Sequence, residues 1–272
     1  MTGILEKIVN RTREHIAGQR RKVAAGDYSS FELYHEKRRD FGGALRTEDR
    51  ISIIAEVKKA SPSKGVIRED FDPVALARSY EKGGAAALSV LTEPYFFMGD
   101  PQYLQQVRRE VLLPCLRKDF IVDVYQLEQA RALGADAVLL IVKITSGNEL
   151  YELHNAAREL GLQTLIECYD EVDWDRLDFS QMEIVGVNNR NLDTFEVDLH
   201  RGVSLLQTAP QGVVRVSESG LNRAEDLLLL RDRGIHSALI GEHFMRCDDP
   251  GAEVNRFLAP FELQSDNRQK PL

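Results

Sequence analysis

The chain has 272 residues, of which 43% are hydrophobic and 29% charged, and a formal net charge of −8 at pH 7. This length suits one large domain, and the composition is ordinary for a protein with a packed core. General nucleic-acid-binding proteins usually carry a basic excess, so the acidic balance disfavours that class. A small anionic substrate is still compatible with it, because local fields matter more than net charge.

Cysteine usage and apolar runs bear on location and on metal binding. Cys115, Cys168 and Cys247 are few and widely spaced, which argues against a disulfide framework and a structural zinc site. The histidines lack the spacings typical of metal sites, so we expect no metal. The chain has no run of 18 apolar residues, and Glu6 and Lys7 stand near its start. We therefore expect no membrane helix, no signal peptide and a cytoplasmic location.

Residues 1–50 precede the first predicted strand and favour a helical extension. The residues that recur there at helical spacing are Ile4, Leu5, Ile8, Val9, Thr12 and Ile16. We expect an amphipathic helix that packs on the main domain, in a position compatible with closing a site. At the other end, residues 261–272 are expected to form a polar tail that frays from Gln264 onward.

Between these ends, short apolar runs alternate with amphipathic segments. The eight predicted buried strands are Ile51–Val57, Ala86–Leu91, Leu113–Leu116, Ala137–Val142, Gln163–Ile166, Glu183–Val187, Val213–Val216 and Ser237–Ile240. Asp72-Pro73 and Asp100-Pro101 each open a helix, with Asp as N-cap and Pro at the first helical position. Gly134 and Gly161 stand where helix C-caps are expected.

This rhythm predicts the architecture. Residues 51–250 allow about 25 residues for each of eight βα units, enough for one strand, one helix and two loops. We therefore predict an α/β fold of one domain over residues 1–272, a (β/α)8 TIM barrel at 51–260 with an N-terminal helical extension. A doubly wound open sheet is the alternative, but Lys58–Ser63 follows the first strand where that fold usually has a glycine-rich fingerprint.

Charged residues end two of the early strands, at the place where barrels carry catalytic groups. Glu56 and Lys58 are two residues apart and point to one face, into the mouth of the barrel. A buried salt bridge that holds the strand end is the structural alternative. Lys118 also points inward, whereas Arg117 and Asp119 flank it on the other face and favour a structural ion pair.

Three later strands end in the same way. Glu167 closes an otherwise apolar run, the segment Asn188–Leu192 follows the sixth strand, and Glu218 follows the seventh. We expect these groups to converge on one rim, because five polar strand ends are hard to explain by core packing. The sequence leaves two positions for Lys143, after the fourth strand: its side chain either enters the mouth of the barrel or extends to solvent.

Two glycine-containing turns after the last strands favour a phosphate site. Ser219-Gly220 and Gly241-Glu242 each follow a strand and precede a helical segment, and Ser61 lies after the first strand. Backbone N–H groups at such turns bind anions, and glycine permits their close approach. Glu242 has the wrong charge for this task, so its side chain should point away. We predict a small phosphorylated substrate.

Longer motifs stand at the strand ends. They are Glu56–Ser63, Leu91–Phe97, Leu116–Ile121, Gly186–Leu192 and Ser217–Gly220. Together they resemble indole-3-glycerol-phosphate synthase, and the likeness covers nearly the whole chain, including the N-terminal extension. The resemblance implies a carbon–carbon lyase of tryptophan biosynthesis that converts 1-(2-carboxyphenylamino)-1-deoxyribulose 5-phosphate to indole-3-glycerol phosphate.

The resemblance also implies catalytic roles. Lys118 would protonate the substrate carbonyl as a general acid, with Glu167 as an acid/base partner. Glu56 would assist proton transfers, and Lys58 would hold the carboxylate that is lost as CO₂. Because decarboxylation restores aromaticity, no electron-sink cofactor is expected.

Substrate contacts follow from the same likeness. Asn188 would orient the substrate. The residues that would shape the site around it are Arg190, Leu192 and Glu218. The residues that would surround the phosphate are Ser61, Ser219, Gly220, Gly241 and Glu242. The walls for the aromatic ring would be Phe97 and Phe120.

The residues alone suggest why Lys118 suits proton donation. Among other cations in a partly dry mouth, and free of a tight ion pair, its ammonium form is expected to be disfavoured. One rival is a Schiff-base aldolase with Lys118 or Lys143 as nucleophile. Another is a catalytically silent binding barrel. We expect a monomer whose partner is a small molecule, neither nucleic acid nor membrane.

Overall fold

The computed structural model describes residues 3–47 and 49–268, with the backbone alone for residues 25 and 262–268. Within these residues, eight parallel strands close into a barrel. In chain order they are β1 (Ser52–Val57), β2 (Ala87–Leu91), β3 (Cys115–Lys118), β4 (Ala137–Ile141), β5 (Gln163–Cys168), β6 (Ile184–Asn188), β7 (Val214–Glu218) and β8 (Ser237–Ile240). The circle closes where Ala55 of β1 pairs with Ile240 of β8. The predicted TIM barrel is confirmed.

Helices precede, follow and alternate with the barrel strands. They are α1 (Ile4–Gln19), α2 (Phe41–Ala44), α3 (Pro73–Lys82), α4 (Pro101–Glu110), α5 (Val124–Ala132), α6 (Glu149–Glu159), α7 (Glu171–Trp174), α8 (Leu199–Gln207), α9 (Ala224–Asp232), α10 (Glu242–Met245) and α11 (Pro250–Arg268). The predicted N-caps of α3 and α4 are confirmed. Asp72 accepts the backbone N–H of Val74 at 2.9 Å, and Asp100 accepts that of Gln102 at 2.8 Å.

Two strands differ from their predicted bounds in a way that matters for the site. β3 begins at Cys115 and ends at Lys118, where the sequence predicted Leu113–Leu116. Pro114 lacks the N–H that a ladder needs, so the strand begins after it. β5 continues to Cys168 beyond the predicted Ile166. Lys118 and Glu167 therefore lie within strands, which fixes the direction of both side chains.

Two apolar layers lie on either side of the strands. The inner layer fills the barrel, and its members include Ile54, Leu116, Leu165, Val216 and Leu239. The outer layer packs between the strands and the helices, and its members include Ile53, Cys115, Ile166, Val185 and Ile240. Because side chains alternate along a strand, each strand supplies both layers in turn.

The two ends of the chain pack as helices. Leu5 and Ile8 of α1 join the inner layer, so the N-terminal segment packs on the barrel as an amphipathic helix. At the other end α11 stays helical to Arg268, past the point where fraying was expected, and residues 269–272 lie outside the described residues. In the described part of the chain, no helix is long and apolar enough to cross a membrane.

Candidate active site

A cavity of about 140 Å³ opens at the carboxyl ends of the strands. It brings together all the candidate catalytic, substrate and phosphate residues of the sequence: Glu56, Lys58, Ser61, Phe97, Lys118, Phe120, Glu167, Asn188, Arg190, Leu192, Glu218, Ser219, Gly220, Gly241 and Glu242. Ile4, Leu5 and Ile8 of α1 also line it, so the N-terminal helix forms part of the cavity wall.

The last inward residues of β1, β3, β5 and β7 form one layer of the barrel interior. They are Glu56, Lys118, Glu167 and Glu218. Lys118 donates hydrogen bonds to Oε2 of Glu167 at 3.0 Å and to Oε2 of Glu218 at 2.6 Å. Side chains of alternate strands share a layer in this fold, which explains why residues far apart in sequence meet here. We call these four residues the charged layer.

Lys58 adds a second cation next to the charged layer. Its Nζ lies 2.6 Å from Oε2 of Glu56, and the two side chains are 15% and 5% exposed. The salt bridge that the sequence left as a structural alternative is therefore present. It lines the same cavity as Lys118, so it is placed both to hold the strand end and to meet a ligand.

The expectation that Lys118 stands among cations, free of a tight ion pair, is wrong. Burial lowers the pKa of Lys118, but the negative charges of Glu167, Glu218 and Glu56 outweigh it and hold the pKa above its ordinary value. Instead of standing among cations, Lys118 lies in a tight ion pair with two carboxylates. The reason is topological, because the charged layer surrounds it with strands that each contribute an acid.

Glu218 is the most buried acid of the charged layer, with a side chain 1% exposed. Burial raises its pKa to about 8; Lys118 opposes this rise and Glu167 adds to it. Its Oε1 has no hydrogen-bond partner among the described residues. Gly186 leaves the space for it, since a Cβ there would overlap Oε1. The sequence analysis gave Glu218 only a shaping role, and Gly186 on the neighbouring strand β6, which makes room for its side chain, is the signal that was missed.

Arg117 lies on the outer face of β3 and Asp119 directly follows that strand, where it also borders the cavity. The predicted ion pair between them is confirmed at 2.9 Å. Both residues are buried. The same oxygen of Asp119 accepts the hydroxyl of Thr92 at 2.6 Å, and Arg117 also donates to Gln129 at 2.7 Å. Polar partners on every side are typical of a structural pair.

Lys143 lies at the rim and does not line the main cavity. Its side chain is 36% exposed, and its Nζ lies 3.4 Å from Asp193. The ammonium also lies 5.4 Å from the centre of the Tyr169 ring. Of the two positions that the sequence left open, the structure shows the one nearer to solvent.

Asn188 and Arg190 bring polar groups from the end of β6 to the cavity. Oδ1 of Asn188 accepts the backbone N–H of Arg190 at 3.1 Å. The Arg190 guanidinium lies 3.4 Å from Glu242, and Glu242 also pairs with Arg246 at 3.1 Å. Two cations thus hold the Glu242 carboxylate at the rim, which allows an acid to stand beside a candidate anion site.

The turns after β7 and β8 bring the backbone close to the cavity. Ser219 and Gly220 are both left-handed, with φ of 69° and 77°. A Cβ at Gly220 would overlap Val197, and one at Gly241 would overlap the Glu56 carboxylate. Glycine is therefore required by close packing at both turns, and at Gly220 by the backbone conformation as well.

Phe97 and Phe120 form an aromatic wall, with ring centres 5.9 Å apart. Glu93 holds the loop that carries Phe97. Its carboxylate accepts the backbone N–H groups of Tyr95, Phe96 and Phe97 at 2.9, 2.7 and 3.0 Å. Burial raises the pKa of Glu93, and the three N–H groups oppose that rise. Sequence reasoning missed this residue.

Comparison with known proteins identifies the family. Residues 5–257 match the family model described as indole-3-glycerol phosphate synthase. The chain belongs to this family. It is therefore a carboxy-lyase of tryptophan biosynthesis, as the resemblance implied.

Curated relatives named indole-3-glycerol phosphate synthase match nearly the full chain. The protein of Rhodopirellula baltica is 49% identical over 256 residues, which cover 94% of this chain and 99% of that protein. The protein of Salinibacter ruber is 47% identical over 257 residues, which cover 94% and 95%. The similarity thus spans both the N-terminal helix and the barrel.

Solved structures at low identity share the fold alone. A tryptophan synthase α-subunit from Pyrococcus furiosus has a TM-score of 0.57 at 13% identity, over 79% of this chain and 98% of that one. The structure titled KGPDC from Streptococcus mutans has a TM-score of 0.58 at 11% identity, over 79% and 98%. Both likenesses support the barrel architecture of this indole-3-glycerol phosphate synthase family member.

Among the described residues, three side chains of the kinds that bind metal ions lie together beside the cavity. The ligand atoms of His243, Cys247 and Glu253 lie within 4.8 Å of one another. His243 lies 2.6 Å from Glu253, and Arg256 donates to both oxygens of that carboxylate at 2.8 and 2.5 Å. Arg256 thus already supplies the positive charge that a metal would bring, so ion pairs and packing account for the group.

Proposed function

We propose that the charged layer, together with Lys58, carries out the chemistry of the family. In 1-(2-carboxyphenylamino)-1-deoxyribulose 5-phosphate, the ring carbon that bears the carboxylate attacks the ketone carbon. One C–C bond forms, the carboxylate leaves as CO₂, and the former ketone oxygen leaves as water. The observation that carries the proposal is Lys118, hydrogen-bonded to Glu167 and Glu218 inside the cavity.

Lys118 would act on the ketone oxygen. Its raised pKa keeps the ammonium charged at neutral pH, so it would stabilise the negative charge that develops on that oxygen. As a proton donor it is weaker than an ordinary lysine, because two carboxylates hold it. A substrate oxygen that replaces one of these carboxylates would relieve this hold and make the donor stronger.

The three acids would divide the other proton transfers. Glu167, beside Lys118, would serve as acid and base in turn, and Glu56 would assist dehydration. Burial raises the pKa of Glu218, so it takes up a proton more readily than an ordinary acid and could return one to Lys118. Lys58 would bind the departing carboxylate, since its ammonium lines the cavity next to Glu56.

The remaining candidate residues would position the substrate. The aromatic ring would lie against Phe97 and Phe120. The residues that would bind the sugar portion are Asn188, Arg190 and Leu192. The phosphate would lie by the turns at Ser219-Gly220 and Gly241-Glu242, near Ser61. The buried hydroxyl of Ser61 has no partner among the described residues, which leaves it available to an anion.

The first experiment follows indole fluorescence during incubation of the purified protein with the carboxyphenylamino-deoxyribulose phosphate. We expect turnover in the wild type and a loss of about 10²–10⁴-fold in Lys118→Ala, the range for one proton-transfer group. Lys143→Ala is the matched control, because it removes a lysine at the rim, and should keep near-normal turnover. Normal turnover in a folded Lys118→Ala variant would contradict the role of Lys118.

Two observations disfavour the Schiff-base aldolase. The raised pKa of Lys118 disfavours the neutral amine that a nucleophile requires, and Lys143 does not line the main cavity. Borohydride reduction with substrate tests this rival directly. A covalent adduct on either lysine would support it and would remove the acid/base proposal.

We also propose that the protein acts as a monomer in the cytoplasm. All the candidate catalytic, substrate and phosphate residues of one chain meet in a single cavity, which supports a site formed within one chain. Light scattering with the activity assay at dilute protein tests this point. A dimer whose dissociation abolishes turnover would overturn it.

A further inference from the structure

Asn189 occupies a buried position between the end of β6 and the turn after β7. Its residue exposure is 0%. The side-chain amide donates to Oγ of Ser217 at 3.0 Å and to the backbone oxygen of Ser219 at 2.9 Å. Asn189 does not line the cavity, so it touches the candidate phosphate turn from behind.

The turn that Asn189 contacts is conformationally costly. Ser219 is left-handed with φ of 69°, and Gly220 follows with φ of 77°. A non-glycine residue in this region is sterically strained and persists where surrounding contacts fix it. The hydrogen bond from Asn189 to the Ser219 oxygen is such a contact, because it holds the peptide that joins Ser219 to Gly220.

Backbone contacts make Asn189 a rigid support. Its N–H donates to the Glu218 oxygen at 2.8 Å, and its own oxygen accepts the N–H of Asp198 at 2.9 Å. On the far side its amide oxygen lies against Gly202 of α8, where a Cβ would overlap it. Asn189 is thus fixed by β7 and by the start of α8 at once.

We propose that Asn189 is a positioning residue for phosphate binding, which acts by holding the Ser219-Gly220 turn in its left-handed conformation. The proposal rests on the phosphate site proposed above. It assigns a role to the second asparagine of the segment Asn188–Leu192, whose first asparagine faces the cavity.

The test separates phosphate affinity from chemistry. Asn189→Ala removes both donated hydrogen bonds and leaves the charged layer intact. We expect the inhibition constant of inorganic phosphate and the KM of the substrate each to rise about tenfold or more, the effect of losing such buried hydrogen bonds. We expect kcat to change by less than about threefold. Circular dichroism and urea unfolding report whether the variant is folded.

A matched control is available at another strand end. Gln126 is also buried, and its amide donates to the backbone oxygen of Phe120 at 3.1 Å and accepts the N–H of Val122 at 2.9 Å. Gln126→Ala therefore removes a buried amide that supports the loop after β3. It should leave the inhibition constant of phosphate near the wild-type value, whatever its effect on stability.

Each outcome decides one point. Equal phosphate inhibition in the wild type and in Asn189→Ala would overturn the positioning role but keep the phosphate site. No competition by phosphate in the wild type would overturn both. An equal loss in Gln126→Ala would show a general effect of loosened loops and would also overturn the role. If Asn189→Ala fails to fold, Asn189→Asp is measured instead, since it keeps the shape but cannot donate to Ser219.

Discussion

The two faces of β3 carry ionic groups that differ in their surroundings. On the outer face, Asp119 receives hydrogen bonds from Arg117, Thr92 and the backbone N–H of Phe120. On the inner face, Lys118 donates to both Glu167 and Glu218, and Oε1 of Glu218 has no partner among the described residues. Both groups are buried, so burial alone does not separate structure from function.

The balance of charges and hydrogen bonds separates the structural pair from the functional groups. The outer pair has one acid and one base with matched partners, and such a pair is removed only at a cost in stability. The charged layer has three acids and one lysine, and even with Lys58 paired to Glu56 the acids outnumber the cations, an arrangement that a fold would not select for stability. Excess like charge at a cavity is typical of groups that exchange protons with a ligand.

The largest effect we expect is a loss of stability in Asp119→Asn. The amide keeps the shape but leaves the Arg117 guanidinium buried without its counter-ion. Breaking a buried pair in this way costs about 3–5 kcal/mol of unfolding free energy, which urea denaturation measures. A loss below about 1 kcal/mol would show that the outer pair is not structural.

Glu218→Gln makes the same change from acid to amide on the inner face. Here we expect the unfolding free energy to rise relative to the wild type, where Asp119→Asn lowers it. Burial raises the pKa of Glu218 in the folded protein to about 8, from the ordinary value of 4.5 that applies in the unfolded chain. This group therefore contributes stability below about pH 4.5 that is lost as the pH rises through 8. The variant lacks this loss, so its unfolding free energy relative to the wild type should increase from pH 5 to 9, while turnover falls. If the unfolding free energies of the wild type and the variant change with pH in parallel, the raised pKa of Glu218 is contradicted.

The sequence predicted the barrel and the charged strand ends that meet at its cavity because both depend on local pattern. Apolar runs ended by Glu56, Lys118 or Glu167 place a charged residue at a strand end whatever the rest of the chain does. The sequence placed Glu167 and Glu218 on the same rim as Lys118 but could not predict that both pair with it directly, because these partners lie 49 and 100 residues away and their distances depend on barrel closure. Glu93 and Asn189 were missed for a related reason, since they act on loops rather than on the cavity.

A smaller effect concerns the phosphate side of the cavity, where we expect backbone N–H groups, and not charged side chains, to bind the phosphate. Gly220→Val adds strain at a positive φ and displaces Val197. We expect the KM to rise at least about tenfold and kcat to fall less, since the charged layer is untouched. Gly212→Val is the control, because Gly212 also has a positive φ but has no atom within 4 Å of its Cβ position. A larger fall in kcat than rise in KM would place the phosphate elsewhere.

The smallest effect should come from Glu93→Gln, which alters the support of the aromatic wall. Only one amide oxygen remains to accept the N–H groups of Tyr95, Phe96 and Phe97, so the loop loses at least one strong hydrogen bond. We expect the KM to rise about threefold to tenfold with little change in phosphate inhibition, because the ring contact loosens and the phosphate turn does not. Asp100→Ala, which removes the cap of α4 nearby, should lower stability without moving the KM. If both variants shift the KM equally, the wall follows the general rigidity of this loop, and Glu93 has no specific part in placing Phe97.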